Sequence, residues 1–307
     1  MKIYMKVLFT SKQSDRLHVD QIFKSNGVNQ TPSDSLPRYA SQMNSLDYQV
    51  DILYNPDVFA RISQELRAIG ILNVTCSYRF EYEEKDYHEA PFFLISGIGN
   101  NPDVYLEDQG AEFETEIVCD NCRLYRKKVV SPLVIDTSYL EEYDMVHVDH
   151  EHFVISERLL SRFKDWGIEG YETHPVLHKG SDEDRQPAYQ LVPSQQLSPW
   201  SAKNPKLEFV GARKCPRCDR RGYLEYPVYY EDSLLQGQFG DFVSTQEEVV
   251  AGNRLIRLPL LSSQLRDRLI AEGITSDVRA PEQYGERDWK LDPIVVVSSV
   301  QKKTHFD

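Results

Sequence analysis

Two Cys-X-X-Cys pairs, Cys119–Cys122 and Cys215–Cys218, are the residues of this 307-residue chain whose type and spacing point most directly to chemistry. A Cys-X-X-Cys turn aims two thiolates at one ion, and two such turns complete the tetrahedral four-sulfur site of a structural zinc. The sequence therefore predicts one Zn²⁺ bound by all four cysteines. Because four thiolates leave no coordination position for water, this zinc is expected to support the fold and not to catalyse a reaction.

Two other interpretations of the cysteine pairs stay open: independent redox dithiols, or a vestigial site that no longer binds metal. Neither pair opens a helix after a strand, as a thioredoxin-like motif does, so the redox interpretation is the weaker one. The fifth cysteine, Cys76, is predicted to be a small buried apolar residue.

A pattern of polar cap, apolar residues and glycine predicts three short helices around the cysteines. The pattern occurs three times. The first two copies have identical offsets: Ser156, Leu159, Phe163, Gly167 and Ile168, and Ser262, Leu265, Leu269, Gly273 and Ile274. The third copy has an apolar residue in the Ser position: Phe59, Ile62, Leu66, Gly70 and Ile71. Ser is a good helix N-cap, and Asn55-Pro56 takes that role in the remaining copy. Apolar residues four apart form one buried stripe, and the glycine supplies the left-handed residue that ends the helix.

The same distances recur between the helices and the cysteines. Gly70 precedes Cys119 by 49 residues, and Gly167 precedes Cys215 by 48. We interpret the chain as an α+β protein: a tandem pseudo-twofold repeat of strand, short helix, Gly-Ile and strands, joined by a four-cysteine zinc-ribbon-like clasp. The alternative is that the three matches arose by chance, because short helices that end in Gly-Ile are common.

The repeat predicts three regions. Residues 1–48 are expected to form an N-terminal strand followed by a polar excursion over residues 10–38. Residues 49–146 hold the first unit with Cys119 and Cys122. Residues 147–307 hold the second unit with Cys215 and Cys218, a third helix and a C-terminal strand. Strands are predicted at 133–135, 145–148, 153–155, 255–258 and 294–297.

Charge and hydropathy disfavour nucleic acids and membranes as partners of this chain and favour a basic protein. The chain has 35 Lys and Arg against 48 Asp and Glu, a net charge of −13. This excess repels nucleic-acid phosphates and favours a basic protein partner. The apolar runs are too short to span a membrane, and the first residues alternate as a strand without a signal-peptide core. A cytoplasmic location is therefore expected, where metal binding is favoured over disulfides.

Three further groups of residues have a functional and a structural interpretation. His147, His150 and His152 form either a second metal site or a polar strand or turn face. Basic residues flank both cysteine pairs, as a nucleic-acid patch or as a balance to the thiolate charge: Arg123, Arg126, Lys127, Lys128, Arg213, Lys214, Arg217, Arg220 and Arg221. The acidic, tyrosine-bearing segments 81–84 and 139–144 suit a basic protein partner or are solvated acidic faces. The sequence contains no Gly-rich phosphate loop, nucleophile elbow or His-Glu-X-X-His motif.

The arrangement resembles the bacterial double-CXXCG-motif proteins, described mainly from myxobacteria. The segments that carry the resemblance are 119–122, 154–170, 189–218 and 260–274, within residues 90–290. A glycine follows the second cysteine of each pair in the family motif, whereas Arg123 and Asp219 stand there in this chain.

Relatives in that family include immunity proteins encoded beside toxins of contact-dependent bacterial competition. The resemblance therefore implies a non-enzymatic protein that binds and neutralises a cognate, possibly basic toxin domain. The structural zinc, the acidic charge and the lack of a catalytic motif agree with this implication. One alternative is a zinc-ribbon protein associated with nucleic acid, and another is an enzyme that uses the histidine run.

Overall fold

The computed structural model describes residues 1–28, 33–34, 45–98, 106–148, 152–205, 215–218, 228–279, 285 and 288–298. The chain divides into two compact units: Met1–Glu84 with Lys206–Leu224, and Lys85–Pro205 with Glu225–Asp307. Both contain helices and strands, which confirms the predicted α+β class. The repeat boundaries predicted from the sequence stay a prediction, because a division into compact units does not test whether the chain contains an internal repeat.

Unit one is built on a four-stranded antiparallel sheet. Its elements in chain order are β1 (Lys2–Lys12), α1 (Arg16–Ser25), β2 (Ser33–Asp34), β3 (Ser45–Leu53), α2 (Pro56–Ala68) and β4 (Thr75–Glu81). The strand order is β2-β3-β1-β4, with every pair antiparallel. This is the connectivity of the split β-α-β, ferredoxin-like arrangement. Alternate residues of β1 (Met5, Val7 and Phe9) pack with apolar residues of both helices in one core.

The prediction of a polar excursion over residues 10–38 is wrong for its first half. β1 continues to Lys12, and α1 follows almost directly. The helix buries Val19, Ile22 and Phe23, whose spacing of three and four residues forms one apolar stripe in a polar segment. This apolar spacing is the sequence signal for α1, and it was missed because the segment as a whole is polar. Of residues 26–38, only 26–28 and 33–34 are described.

Unit two contains the remaining elements. They are α3 (Glu84–Glu89, which begins at the last residue of unit one), β5 (Phe92–Ile98), α4 (Leu106–Gln109), β6 (Phe113–Cys119), β7 (Leu124–Val129), β8 (Val134–Ile135), β9 (Met145–Val148), β10 (His152–Ser156), α5 (Glu157–Asp165), β11 (Tyr171–Pro175), β12 (Leu177–His178), β13 (Ala188–Pro193), β14 (Tyr229–Glu231), β15 (Phe242–Ala251), β16 (Arg254–Ser262), α6 (Ser263–Ala271), β17 (Trp289–Pro293) and β18 (Val295–Val297). Each of the five predicted strands overlaps one of these strands, although β8 and β18 begin one residue later than predicted.

Two larger sheets organise unit two. One has the order β17-β5-β16-β7-β6, with β15 paired to β16, and the other has the order β11-β13-β10-β9. Short parallel pairs join β12 to β8 and β14 to β18. Helices α5 and α6 bury Phe163 and Leu269 in a core that also contains Phe93 and Phe153. The two sheets and the two helices therefore share one apolar interior.

The three predicted helices form, with the predicted caps. The Asn55 side chain accepts a hydrogen bond from Val58 N at 3.1 Å, Ser156 Oγ from Leu159 N at 3.1 Å, and Ser262 Oγ from Leu265 N at 3.0 Å. Gly70, Gly167 and Gly273 follow the helices with φ of 90°, 67° and 67°. Only glycine adopts this left-handed region without steric cost, so the C-terminal stop signals are confirmed.

The hairpin–helix elements β9-β10-α5 and β15-β16-α6 have the same local hydrogen bonds. Ser156 Oγ donates to Asp144 Oδ1 at 2.8 Å, and Ser262 Oγ donates to Asp241 Oδ1 at 2.5 Å. Each aspartate directly precedes the first strand of its hairpin. Each serine hydroxyl thus accepts a hydrogen bond from the first turn of its helix and donates one to its aspartate.

We expect Ser262→Ala to lower the free energy of unfolding by about 1 kcal/mol, since α6 loses its N-cap and Asp241 loses a donor. Urea unfolding followed by circular dichroism measures the change. Ser263→Ala is the matched control, because Ser263 lies one residue further on and its hydroxyl makes no hydrogen bond among the described residues. Equal destabilisation by both variants would contradict the capping role.

Candidate metal centre

The first cysteine pair lies at the tip of the β6–β7 hairpin. Cys119 ends β6 and is paired with Leu124, the first residue of β7. The pairing register shifts between Ile117 and Cys119, which marks a bulge just before the turn. Leu124 is fully buried and anchors the start of β7. The hairpin therefore presents Cys119 and Cys122 from a short, well-anchored turn.

The structure brings the four predicted ligands together. The Sγ atoms of Cys119, Cys122, Cys215 and Cys218 all lie within 4.8 Å of one another. The first three residues are buried and Cys218 is half-buried, and none of the four is in a disulfide. Zn–S bonds of about 2.3 Å place tetrahedral sulfurs about 3.8 Å apart. The cluster therefore fits a metal ion at its centre with only a small contraction.

The donor set limits the chemistry available at this cluster. Four soft thiolates suit a tetrahedral ion such as Zn²⁺ or iron and do not suit Mg²⁺ or Ca²⁺. An ion bound by all four sulfurs has no free position at which water or substrate could bind. The chemistry that the cluster supports is therefore the stabilisation of two chain segments that are far apart in sequence.

Arg123, directly after the first pair, has a φ of 58°. A side chain in this left-handed region is strained by roughly 1–2 kcal/mol. We expect Arg123→Gly to raise the free energy of unfolding by about 0.5–1 kcal/mol, because relief of strain exceeds the added entropy of the unfolded chain. Thermal unfolding of the metal-bound protein measures it. Arg123→Ala keeps the strain and removes the same charge, so an equal gain from alanine would contradict the backbone explanation.

Two of the basic residues beside the first pair are engaged in ion pairs. Arg126 binds Glu248 through Nε at 2.6 Å and Nη2 at 2.8 Å, and Glu116 through Nη1 at 3.1 Å. These carboxylates raise the pKa of Arg126 above its usual value. Lys127 pairs with Glu107 and lies over the Phe113 ring at 3.8 Å. Their charge is thus balanced by carboxylates of β6, β15 and α4.

The remaining basic residues are placed only in part. Arg123 and Arg217 are exposed, as is Lys128. Arg213, Lys214, Arg220 and Arg221 lie outside the described residues.

The histidine run does not form a joint site among the described residues. His147 is paired with Phe153 and stacks on its ring at 4.6 Å, whereas His152 is paired with Val148. Neighbouring pairs of a hairpin project to opposite faces, so His147 and His152 cannot bind the same ion. His150 lies outside the described residues. In the part of the chain that the structure describes, the four cysteines are the one cluster suited to a metal.

The acidic segment 139–144 has two roles. Tyr139 is 41% exposed, and Glu141 and Glu142 are exposed beside it. Asp144 instead accepts a hydrogen bond from Ser156 and binds Arg158 Nε at 3.0 Å. The glutamates are therefore available to a partner, whereas the aspartate maintains the fold.

A second acidic turn, missed by the sequence analysis, is tied to this segment. Thr137 N donates to His178 Nδ1 at 3.2 Å, so Nε2 carries the ring proton and donates to Ser181 O at 2.9 Å. Gln186 N donates to Thr137 Oγ1 at 3.0 Å. Between these contacts, residues 182–184 form an exposed one-turn helix of Asp, Glu and Asp. No periodicity in the sequence joins Thr137 to His178, which is why the combination was missed.

No described helix is both long and apolar enough to cross a lipid bilayer. Comparison of the chain with protein-family models, with curated proteins and with solved structures gives no match.

Proposed function

We propose that the four cysteines bind a structural Zn²⁺ and that the chain is a non-enzymatic cytoplasmic binding protein, which neutralises a cognate toxin domain in competition between bacteria. The observation that carries this proposal is the cluster of four cysteine sulfurs, three of them from buried residues. A metal with a complete thiolate shell stabilises a scaffold and has no position for substrate. The proposed activity therefore belongs to a surface that the scaffold presents.

The proposed contact surface is the pair of acidic turns in unit two, Tyr139–Glu142 and Asp182–Asp184, which we name the acidic face. Their tie through Thr137, His178 and Gln186 holds the turns in a defined geometry. Exposed carboxylates accelerate the approach of a basic partner, and an exposed tyrosine offers contact area at a small entropic cost. The excess of 48 acidic over 35 basic residues adds to the same field.

The duplication predicted from the sequence and the resemblance to double-CXXCG-motif proteins support the same proposal. In it, each half of the chain contributes one cysteine pair, and the zinc clasps the two pairs. The hydrogen bonds that Ser156 Oγ donates to Asp144 and Ser262 Oγ donates to Asp241 are the shared local feature that a duplication would leave behind. The immunity role itself comes from the resemblance.

The direct test uses the product of the gene adjacent to this one. Expressed alone in a bacterial host it is expected to stop growth, and co-expression of this chain is expected to restore growth and to yield a co-purifying complex. A neighbouring product that is harmless, or a toxicity that this chain leaves unchanged, would overturn the proposal.

The acidic face is tested within the same assay. We expect the double variant Glu141→Lys with Glu142→Lys to weaken binding of the toxin about tenfold or more, mostly through slower association. Glu172→Lys with Glu272→Lys is the matched control, because both glutamates are exposed elsewhere on unit two and the net charge changes equally. Equal weakening by both pairs would assign the effect to net charge alone.

A further inference from the structure

Unit two contains an open cleft with a volume of about 730 Å³. One wall comes from β7 and the residues after it, and from β16. The rest of the lining comes from β10, β11 and β13, with Ser244 and Glu248 of β15. The volume lies in the range of about 300–1,000 Å³ that is usual for small-molecule sites. The metal cluster is not part of this cleft, since none of its four cysteines lines it.

The divergence of β7 and β16 explains why the cleft exists. These strands are neighbours in the sheet, but among the described residues they are paired only at Arg254 and Tyr125. Beyond that point β7 stays with β6, while β16 stays with β15 and then β5. The following residues of both strands, including Arg126 and Arg257, therefore line the opening between them.

The lining combines apolar area with basic groups. Phe153, Leu191, Leu255 and Ile256 are buried residues that contribute to the wall. Prolines from four different segments add rigid apolar area: Pro132, Pro175, Pro193 and Pro259. A ligand that fills this space must accordingly have an apolar body.

The charge of the lining is opposite to that of the whole chain. Arg126, Lys127, Lys128 and Arg257 line the cleft against one carboxylate, Glu248. Glu248 and Glu116 offset Arg126, and Glu107 offsets Lys127. In the described part of the chain Lys128 makes no ion pair, and Arg257 is 4.0 Å from the same Glu248 that binds Arg126.

Arg257 thus shares a carboxylate that Arg126 already binds. Glu114 lies opposite Lys128 in the β6–β7 pair but is exposed and makes no ion pair with it among the described residues. Lys128 and Arg257 therefore carry the least balanced positive charge of the lining. The cleft also contains amide and imidazole groups that can form hydrogen bonds. Gln190, only 8% exposed, has its amide nitrogen 3.3 Å from His152 Nδ1, and His174 lines the same wall. Arg126 is fixed by two carboxylates, so its guanidinium is ordered before any ligand arrives. Preorganised groups of this kind bind a ligand without losing side-chain entropy.

We propose that this cleft binds a small organic anion, in which a carboxylate, phosphate or sulfonate group lies at the Lys128–Arg257 rim and an apolar body lies against Phe153, Leu191 and Ile256. The site is independent of the acidic face and of the metal, and it adds a small-molecule ligand to a chain otherwise proposed to bind protein.

The test uses 1-anilinonaphthalene-8-sulfonate as the probe, because it joins one sulfonate to an apolar aromatic body and fluoresces when bound. We expect one saturable site per chain in the folded, metal-bound protein. Uncharged N-phenyl-1-naphthylamine is expected to bind more weakly, and higher salt is expected to weaken only the sulfonate. Inability of the cleft to bind the probe, or equal affinity for the charged and uncharged probes, would overturn the proposal.

Variants locate the bound probe. Lys128→Gln is expected to raise the dissociation constant of the sulfonate about three- to tenfold, with little effect on the uncharged probe. Lys164→Gln is the matched control, since Lys164 is exposed on α5 outside the cleft, and its constant should not change. Val130→Trp places bulk in the cleft from a residue that is 46% exposed, and is expected to abolish binding of both probes without unfolding the chain. Unchanged binding in this variant would place the probe elsewhere and refute the assignment.

Discussion

Replacement of Cys119 or Cys215 by Ser is expected to remove one metal ion per chain and to lower the free energy of unfolding by several kcal/mol. Structural zinc contributes folding energy directly, with an apparent binding free energy of about 10–16 kcal/mol in small zinc domains at neutral pH. A serine hydroxyl is a poor replacement for a thiolate, and the other buried sulfurs would lose their shared cation. Elemental analysis of the purified protein and its thermal midpoint measure the two effects.

The chain offers its own control for this experiment. Cys76 is 4% exposed in the core of unit one and is not part of the cluster. Cys76→Ser should therefore destabilise unit one through a buried hydroxyl, and should leave the metal content unchanged. A chelator should reproduce the cysteine variants in the parent protein. Full stability and unchanged metal content in Cys119→Ser would disprove the structural role of the site.

Gly240→Ala is expected to lower the free energy of unfolding of unit two by about 3 kcal/mol or more, as severe overpacking does. A Cβ atom at Gly240 would lie 2.4 Å from Gly170 Cα, a backbone atom that cannot rotate away. The two segments are also bonded to each other, because Glu169 O accepts from Asp241 N at 2.7 Å and from Phe242 N at 3.1 Å. Separation of the segments would break these hydrogen bonds, so the clash cannot relax easily. Denaturant unfolding measures the loss.

Gly252→Ala is the matched control for the close backbone contact between Gly240 and Gly170. Gly252 has a φ of 63° in the turn between β15 and β16, but a Cβ there would meet nothing within 4 Å. Its substitution is expected to cost only about 1 kcal/mol, the price of a left-handed alanine. Equal losses in the two variants would show that the Gly170–Gly240 contact does not limit stability.

Local signals in the sequence were sufficient to predict the helix caps and helix ends, because contacts within a short segment determine these features. Ser156 and Ser262 cap helices because their hydroxyls lie three residues before the amide groups they serve. Gly167 and Gly273 end those helices because the left-handed conformation excludes most side chains. In the N-terminal region the polar composition outweighed the stripe of Val19, Ile22 and Phe23, and α1 was missed although its periodic signal was present.

By itself, then, the sequence determined the caps and stops of three helices, some of the strands, the α+β class, the acidic charge and the two cysteine pairs as candidate ligands. Tertiary structure alone decided what depends on distant residues meeting: the approach of Cys119 and Cys215, the crossing of Gly170 and Gly240, and the divergence of β7 from β16. The physical reason is the separation in sequence between the residues that interact. Caps and turns are set by bonds between near neighbours, whereas these contacts join residues many positions apart and form only when packing of the whole unit brings them together.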